Sequence, residues 1–270
     1  LAEQQVILVT GASSGIGKAS ARLLAAAGFR VFGASRRAPT GLDSVAAVSM
    51  DVRDDRSVTD GVSRVLKEAG RIDVLLNCAG IHITGSAEEM LLEEFREQVE
   101  TSLLGTVRTC RAVLPGMTGR KRGLIINISS IAGLMGLPFQ TAYCASKHGI
   151  EGYSEALQME TRRFGVKVVV VDPGDVHTEV TQNRLHSRGI PAGSPYLPDF
   201  DAAMRIQDGN EIHGWEPERI AQVILHIVKA RSPRYRYVAG PFVEKFAVWM
   251  RPLLPERMFL KFVAQFAGVK

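Results

Sequence analysis

Three side chains in one stretch of this chain can move a proton. In GLIINISSIAGLMGLPFQTAYCASKHG, residues 123–149, an apolar run from Leu124 to Ile128 ends in Ser129 and Ser130, and Tyr143 and Lys147 follow four residues apart. A helix beginning near Thr141 puts the phenol and the ammonium on one face, one turn apart. Free tyrosine is a poor acid–base catalyst at neutral pH because its pKa is about 10. A nearby cation favours the phenolate and lowers that value, and Lys147 is placed to be that cation. The same spacing also suits a half-buried ring under a solvated amine, so the surrounding elements have to decide between the two.

A second chemistry sits near the start of the chain. Val6 to Val9 is a short β-branched run that reads as a buried strand, Thr10-Gly-Ala-Ser-Ser-Gly-Ile-Gly17 follows, and Lys18 to Ala27 is rich in alanine and leucine. Strand, glycine turn and helix together bring backbone close to a ligand and offer a helix N-terminus to a pyrophosphate. Gly11, Gly15 and Gly17, with three residues between the first two, fit that use. The next strand, Arg30 to Ala34, ends in Ser35-Arg36-Arg37. An acidic residue there would bind the ribose hydroxyls of NAD; arginine suits a 2′-phosphate, so NADP(H) is expected in preference to NAD(H).

The remaining pattern alternates strand and helix. Strands are expected at Val45–Met50, closed by Asp51, at Asp73–Asn77, at Leu124–Ile128 and at Val166–Val171, which runs into Asp172-Pro-Gly174; helices are expected over residues 55–69, 88–114, from Thr141, and 217–229, with a last strand at Tyr235–Ala239. This is the pattern of a parallel sheet with helices on both faces, a doubly wound Rossmann-type α/β fold. Ligands of such sheets lie beyond the carboxyl ends of the strands. Gly11, Ser35, Asp51, Asn77, Ser130 and Pro173 all fall at those ends. Residues 175–216 show no sustained period and are expected to be an irregular loop over the same site.

With 270 residues, 46% hydrophobic and 23% charged, the composition is that of a soluble single α/β domain. Cys78, Cys110 and Cys144 have neither metal-ligand nor redox spacing, and suggest a reducing compartment. The opening LAEQQ runs straight into a strand, so no leader peptide is expected, and no apolar stretch is long enough to span a bilayer. A cytoplasmic location is the expectation. Residues 229–270 carry nine basic against two acidic groups, so the net +5 belongs to the tail and the body is nearly neutral, which argues against a nucleic-acid surface.

Assembled in order, Thr10-Gly11 with Gly15 and Gly17, Asn77-x-Ala79-Gly80, Ser130, Tyr143-x-x-x-Lys147 and Pro173-Gly174 resemble the short-chain dehydrogenase/reductase family over roughly residues 5–240. The stretch from Ser129 to Lys147 looks most like the hydroxysteroid and retinol dehydrogenase-like members. The resemblance implies an alcohol/ketone oxidoreductase with no metal. In it Tyr143 is the general acid in reduction, Ser130 hydrogen-bonds the substrate carbonyl, and Lys147 holds the nicotinamide ribose and lowers the tyrosine pKa. Ser13, Ser14 and Ile16 would complete the glycine-turn contacts, Asp51 and Val52 would meet the adenine, and Asn77, Ala79 and Gly80 the adenosine side. Pro173, Gly174, Val176 and Thr178 would line the nicotinamide. The resemblance also implies a homodimer or homotetramer. A lipophilic ketone, aldehyde or alcohol is the expected substrate.

Two positions depart from the family pattern. Ser102 stands where many members carry a catalytic asparagine thought to hold a water beside the lysine, so an altered relay is expected. Cys78 replaces a common second asparagine and is expected to be a buried structural cysteine. Epimerases of the superfamily usually differ in glycine spacing, and enoyl reductases usually place the tyrosine farther from the lysine. A catalytically silent NADPH-binding sensor rests on Ser102 alone. Past residue 240, Phe242, Phe246, Trp249 and Met250, then Met258, Phe259, Phe262, Val263 and Phe266, recur at helical spacing around Pro252 and Pro255. They read as two short amphipathic helices that pack on the body or a partner subunit, cover the substrate, or make peripheral contact with a membrane.

Overall fold

Strand β1 (Val6–Thr10) is buried at every position, as its run of Val, Ile and Leu requires, and pairs in parallel with β2 (Arg30–Ser35) on one side and β4 (Val74–Asn77) on the other. From that centre the chain winds outward twice. One half adds β3 (Val45–Ser49) beyond β2; the other adds β6 (Gly123–Ile128), β7 (Val166–Pro173) and β9 (Arg236–Ala239) beyond β4, giving the order β3-β2-β1-β4-β6-β7-β9 with every neighbour parallel. The strand order reverses between β1 and β4, and the crevice at their carboxyl ends is where such sheets bind ligands. The computed structural model describes residues 4–37, 42–177 and 184–269.

Helices cover both faces. On one, α1 (Gly15–Ala26) and α7 (Pro217–Lys229) bury Leu24, Ile220, Ile224 and Ile227 against Ile7, Val9, Val169 and Val171. On the other, α2 (Asp55–Ala69), α4 (Gly105–Gly119) and α5 (Thr141–Thr161) bury Val58, Val62, Cys110, Met117 and Leu157 against Leu8, Phe32, Leu75, Ile125 and Val168. Local signals set the ends: Asp54 accepts the Ser57 N–H to cap α2, and Gly70 closes it in the left-handed region at φ 75°. Inside the sheet, Asp172 and Glu151 are buried beside Arg236, which ties β7, α5 and β9 together.

Two departures from the expected elements shape the site. The helix expected over 88–114 begins at α3 (Leu92–Val99), widens into a π-helical turn at Glu100–Leu104, and continues as α4. The segment 175–216, expected to be irregular, contains a two-residue strand β8 (Leu185–His186), paired with β5 (Ile83–Thr84), and the helix α6 (Leu197–Ile212). Helix α6 has no apolar stripe because its inward side is mixed. Phe200, Ala203 and Met204 pack with Phe139 and Ile190, whereas Gln207 and Glu211, one and two turns on, meet polar partners. After β9 the tail forms α8 (Phe242–Met250), a turn at Arg251–Leu253 and α9 (Glu256–Phe266), and no helix among the described residues is long and apolar enough to cross a membrane.

Candidate active site

A cavity of about 910 Å³ opens at the carboxyl ends of the strands, running from the glycine turn and Arg36 to Tyr143, Pro173 and Glu211. The glycines at its floor are there because nothing larger fits. Gly11 has φ 67° and a Cβ on it would lie 2.8 Å from the Ala79 nitrogen, while a Cβ on Gly17 would collide with the Gly11 carbonyl. Thr10 Oγ1 accepts the N–H groups of Cys78 and Ala79 at 3.2 and 3.3 Å, which locks the turn against the end of β4. The first turn of α1 then faces the cavity through Gly15, Ile16 and Gly17, with Ser13 and Ser14 beside it. This cradle fits a dinucleotide pyrophosphate.

Ser35, Arg36 and Arg37 line the outer end, together with Asp51 and Val52. Asp51 is gripped by Arg53, whose Nε and Nη2 donate at 3.1 and 2.8 Å, and this hydrogen-bonded guanidinium holds the carboxyl below its usual value. Arg53 itself lines the cavity and was not among the expected residues; its place two residues after Asp51 was the available signal. Ala79 and Gly80 line the cavity as well. Asn77 does not. Its Nδ2 donates to Asn127 at 2.9 Å and its Oδ1 accepts from Thr109 at 2.7 Å, so this side chain is turned into the sheet and corrects the expectation of an adenosine contact. Pro173, Gly174 and Val176 line the inner end; Thr178 lies outside the described residues.

The proton-moving residues meet at that inner end. Ser130 stands where β6 runs out and opens a short turn over Ile131–Gly133; its Oγ accepts the Ala132 N–H at 3.2 Å and donates to the Pro173 carbonyl at 3.4 Å. Tyr143 and Lys147 lie one turn apart on α5. Lys147 Nζ donates to the Ile128 carbonyl at 2.9 Å and sits 5.5 Å from the Tyr143 ring centre. Burial pushes the Lys147 ammonium down to about 8, against the opposing pull of Cys78, Asp172 and Glu151. The expected lowering of the Tyr143 pKa is not the balance found. Burial pushes the phenol up to about 12, a hydrogen bond with Ser130 pulls it back, and the charges of Glu211 and Asp175 add to the rise. Tyr143 is therefore a proton donor that stays protonated at neutral pH.

Sequence reasoning missed the wall facing these groups. The buried ring of His82 stacks 4.1 Å from that of Tyr143 and donates from Nε2 to Gln140 Oε1 at 3.0 Å. Gln140 Nε2 donates to Gln207 at 2.9 Å, Gln207 donates to Glu211 at 3.0 Å, and Glu211 is paired with the buried Arg184. Burial and the Arg184 charge hold His82 down at about 3, so it is neutral and not an acid–base group at ordinary pH. His82 stands just before β5, Gln140 just before α5, Arg184 just before β8, and Gln207 and Glu211 one turn apart on α6; apart from that last pair no sequence spacing links them.

The two departures from the family pattern have local answers. Ser102 sits in the π-helical turn and is bonded by Gln98, four residues earlier. Its Nε2 donates to the Ile81 carbonyl at 2.8 Å and to Ser102 Oγ at 3.0 Å, and its Oε1 accepts the Ile83 N–H. Cys78, expected to be buried, is half-buried and lines the cavity, and desolvation pushes its thiol up to about 12 against the opposing pull of Lys147.

Residues 5–189 match the family described as short chain dehydrogenase. The chain is 40% identical over 256 residues to a 3-ketodihydrosphingosine reductase of Bacteroides thetaiotaomicron, covering 95% of each. Its fold matches a short-chain dehydrogenase from Streptomyces avermitilis with a TM-score of 0.81 at 30% identity, over 99% of this chain and 98% of that one. It also matches an alcohol dehydrogenase from the archaeon Thermococcus sibiricus complexed with 5-hydroxy-NADP, with a TM-score of 0.72 at 25% identity, over 89% of this chain and 97% of that one. The glycine cradle, the Ser130, Tyr143 and Lys147 cluster and these likenesses agree, and the chain belongs to the short-chain dehydrogenase/reductase family, as an oxidoreductase acting on CH–OH groups.

Proposed function

We propose that this chain is an NADPH-dependent reductase of a long-chain amphiphilic ketone, of the kind the Bacteroides relative is named for. The observation that carries the substrate class is the make-up of the inner cavity. Ile81, Ile131, Leu137 and Val176 give it apolar surface, while Gln140, Gln207 and Glu211 give it a hydrogen-bonded polar wall. A 3-keto sphingoid base has an amine and a hydroxyl beside its ketone and an alkyl chain beyond it. Glu211, fixed by Arg184 and Gln207, offers a carboxylate to the amine. A steroid or retinoid would leave that polar wall unpaired, at a cost in desolvation.

The chain's residues divide the work. Gly11, Ser13, Ser14, Gly15, Ile16 and Gly17 cradle the pyrophosphate, Ser35, Arg36 and Arg37 receive the 2′-phosphate, and Pro173, Gly174 and Val176 back the nicotinamide. NADPH, when bound, supplies the hydride that adds to the carbonyl carbon. Tyr143 gives its proton to the oxygen as charge develops there, and Ser130 hydrogen-bonds the phenol. Lys147, charged below about 8, favours the phenolate left behind. A cytoplasmic homodimer or homotetramer, with the C-terminal segment at a membrane surface, is the setting that goes with this reading.

The test is NADPH consumption by the purified chain with 3-ketodihydrosphingosine, long-chain ketones lacking the amine, steroid ketones and retinal, with NADH in parallel and Tyr143→Phe as control. The reading expects turnover of the keto sphingoid base that prefers NADPH and disappears in the variant. Better turnover of steroid ketones or retinal overturns the substrate class. Tight NADPH binding without turnover of any of them makes the chain a cofactor-binding sensor.

A further inference from the structure

Residues 242–266 contribute nine of the eighteen large apolar side chains exposed among the described residues. They are not scattered. Phe242, Phe246, Trp249 and Leu253 follow one another at intervals of three or four, and so do Met258, Phe262 and Phe266. Phe242 is 80% exposed and Trp249 64% exposed, values that a side chain covered within its own fold does not keep. Phe246 packs on Phe242 and Trp249, and Phe262 on Phe266, so each stripe is a continuous aromatic ridge. The inner sides of both helices meet in one small core, where Phe259 and Val263 pack with Met135, Ala247, Val248 and Leu254. The two ridges therefore face away from the body.

The charge around them is one-sided. Arg251, Arg257 and Lys261 are exposed, against Glu256. Glu244 is turned inward, where it accepts the Asp175 N–H at 3.2 Å. We infer that the outer face of α8 and α9 is a docking surface for an anionic lipid bilayer: the aromatic ridges enter the interfacial layer and Arg251, Arg257 and Lys261 meet lipid phosphates. A second copy of the chain fits this face less well. A two-fold interface sets a patch against itself, and here that brings the same three cations together. The small core under the helices includes Ile131 and Leu137, which also line the catalytic cavity, so the docked face lies next to that cavity. That a lipid substrate enters there rests on the proposed function; the docking surface itself does not.

The test is co-sedimentation of the full chain with phosphatidylglycerol–phosphatidylcholine vesicles and with phosphatidylcholine alone, at low and high salt. Fluorescence of Trp249 is followed in a Trp215→Phe background. The surface predicts binding to the anionic vesicles, a blue shift of Trp249, and weakening by salt. Arg257→Glu/Lys261→Glu should lower the affinity by about fivefold or more for each basic residue lost, and Phe246→Ser/Phe262→Ser should remove the blue shift. Both variants should keep the wild-type circular dichroism and NADPH affinity. Absence of vesicle binding at low salt overturns the inference, and so does binding that neither variant weakens. An oligomer in solution that Phe246→Ser/Phe262→Ser dissociates would show the face to be a subunit interface and would also overturn it. Vesicle binding without turnover of any long-chain ketone leaves the surface standing and fails the substrate reading instead.

Discussion

Lys147 donates from Nζ to the carbonyl of Ile128, at 2.9 Å, and so ties the helix that carries Tyr143 to the strand that leads into Ser130. This bond joins the two elements of the proton-transfer site and consumes one of the three donors of the ammonium. Because Lys147 is held down to about 8 and Tyr143 up at about 12, the lysine is the group that titrates in the working range. Ketone reduction is expected to fall as pH rises through about 8, where the ammonium loses its proton. Lys147→Arg, which stays charged, should be slower at neutral pH but lose that falling limb. Tyr143→Phe should cost about 10²- to 10⁴-fold in kcat with NADPH affinity kept. Initial rates from pH 6 to 10 on the three proteins check all of this.

Arg36 and Arg37 follow the end of β2, where an NAD enzyme would carry an acid. If Arg36 reads the 2′-phosphate, Arg36→Ala raises KM for NADPH by about tenfold or more and leaves KM for NADH nearly unchanged, since a charge-assisted hydrogen bond contributes about 1.5–3 kcal/mol. A parallel rise for both cofactors would mean that Arg36 serves the turn and not the phosphate.

Ser102 and Gln98 have to be changed together. The Ser102 hydroxyl accepts from the Gln98 amide at 3.0 Å and from the Ile81 N–H at 3.4 Å, so a larger side chain at 102 has to displace the Gln98 amide. Ser102→Asn alone is expected to lower the midpoint of thermal unfolding, by an overpacking cost of about 1–3 kcal/mol. Adding Gln98→Ala should recover part of that loss, because the space and the Ile81 carbonyl become available to the new amide. A double-mutant cycle of unfolding free energies measures the coupling. Additive effects would show that the two residues act independently.

Glu244 links the tail to the cofactor side of the cavity. Burial raises its pKa to about 8, with the charge of Asp175 adding to the rise, so the two carboxyls are held together by a proton that the unfolded chain would release near the ordinary carboxylate value. A group with a raised folded pKa stabilises fully below its unfolded value and loses that contribution as pH rises through the folded one. The seat of α8 on the Gly174–Asp175 turn is therefore expected to loosen between about pH 5 and 8. Hydrogen exchange of residues 242–253 should quicken across that window beyond its intrinsic pH dependence, and Glu244→Gln should flatten the change.

Periodicity and motif spacing determined most of the frame. The β-branched runs specified a parallel sheet because strands buried on both faces must be apolar throughout. The glycine turn was legible because only glycine fits at 11 and 17, and Tyr143 and Lys147 because a helix makes neighbours of residues four apart. Asn77 shows the limit of that reasoning. Its place at a strand end was right, but strand-end residues alternate in direction, and the pairing partners Thr109 and Asn127 claim its amide.

Only the tertiary structure decided the substrate wall. His82, Gln140 and the Gln207–Glu211 pair come from three separate parts of the chain, and α6 itself escaped the sequence pattern because its inward side trades apolar residues for those polar partners. The balance of charge at Tyr143 was likewise decided in three dimensions. Chain spacing places a lysine one turn away, but the phenol's proton affinity depends on how much water is excluded and on carboxylates brought in from residues 175 and 211, and neither quantity is written in local sequence.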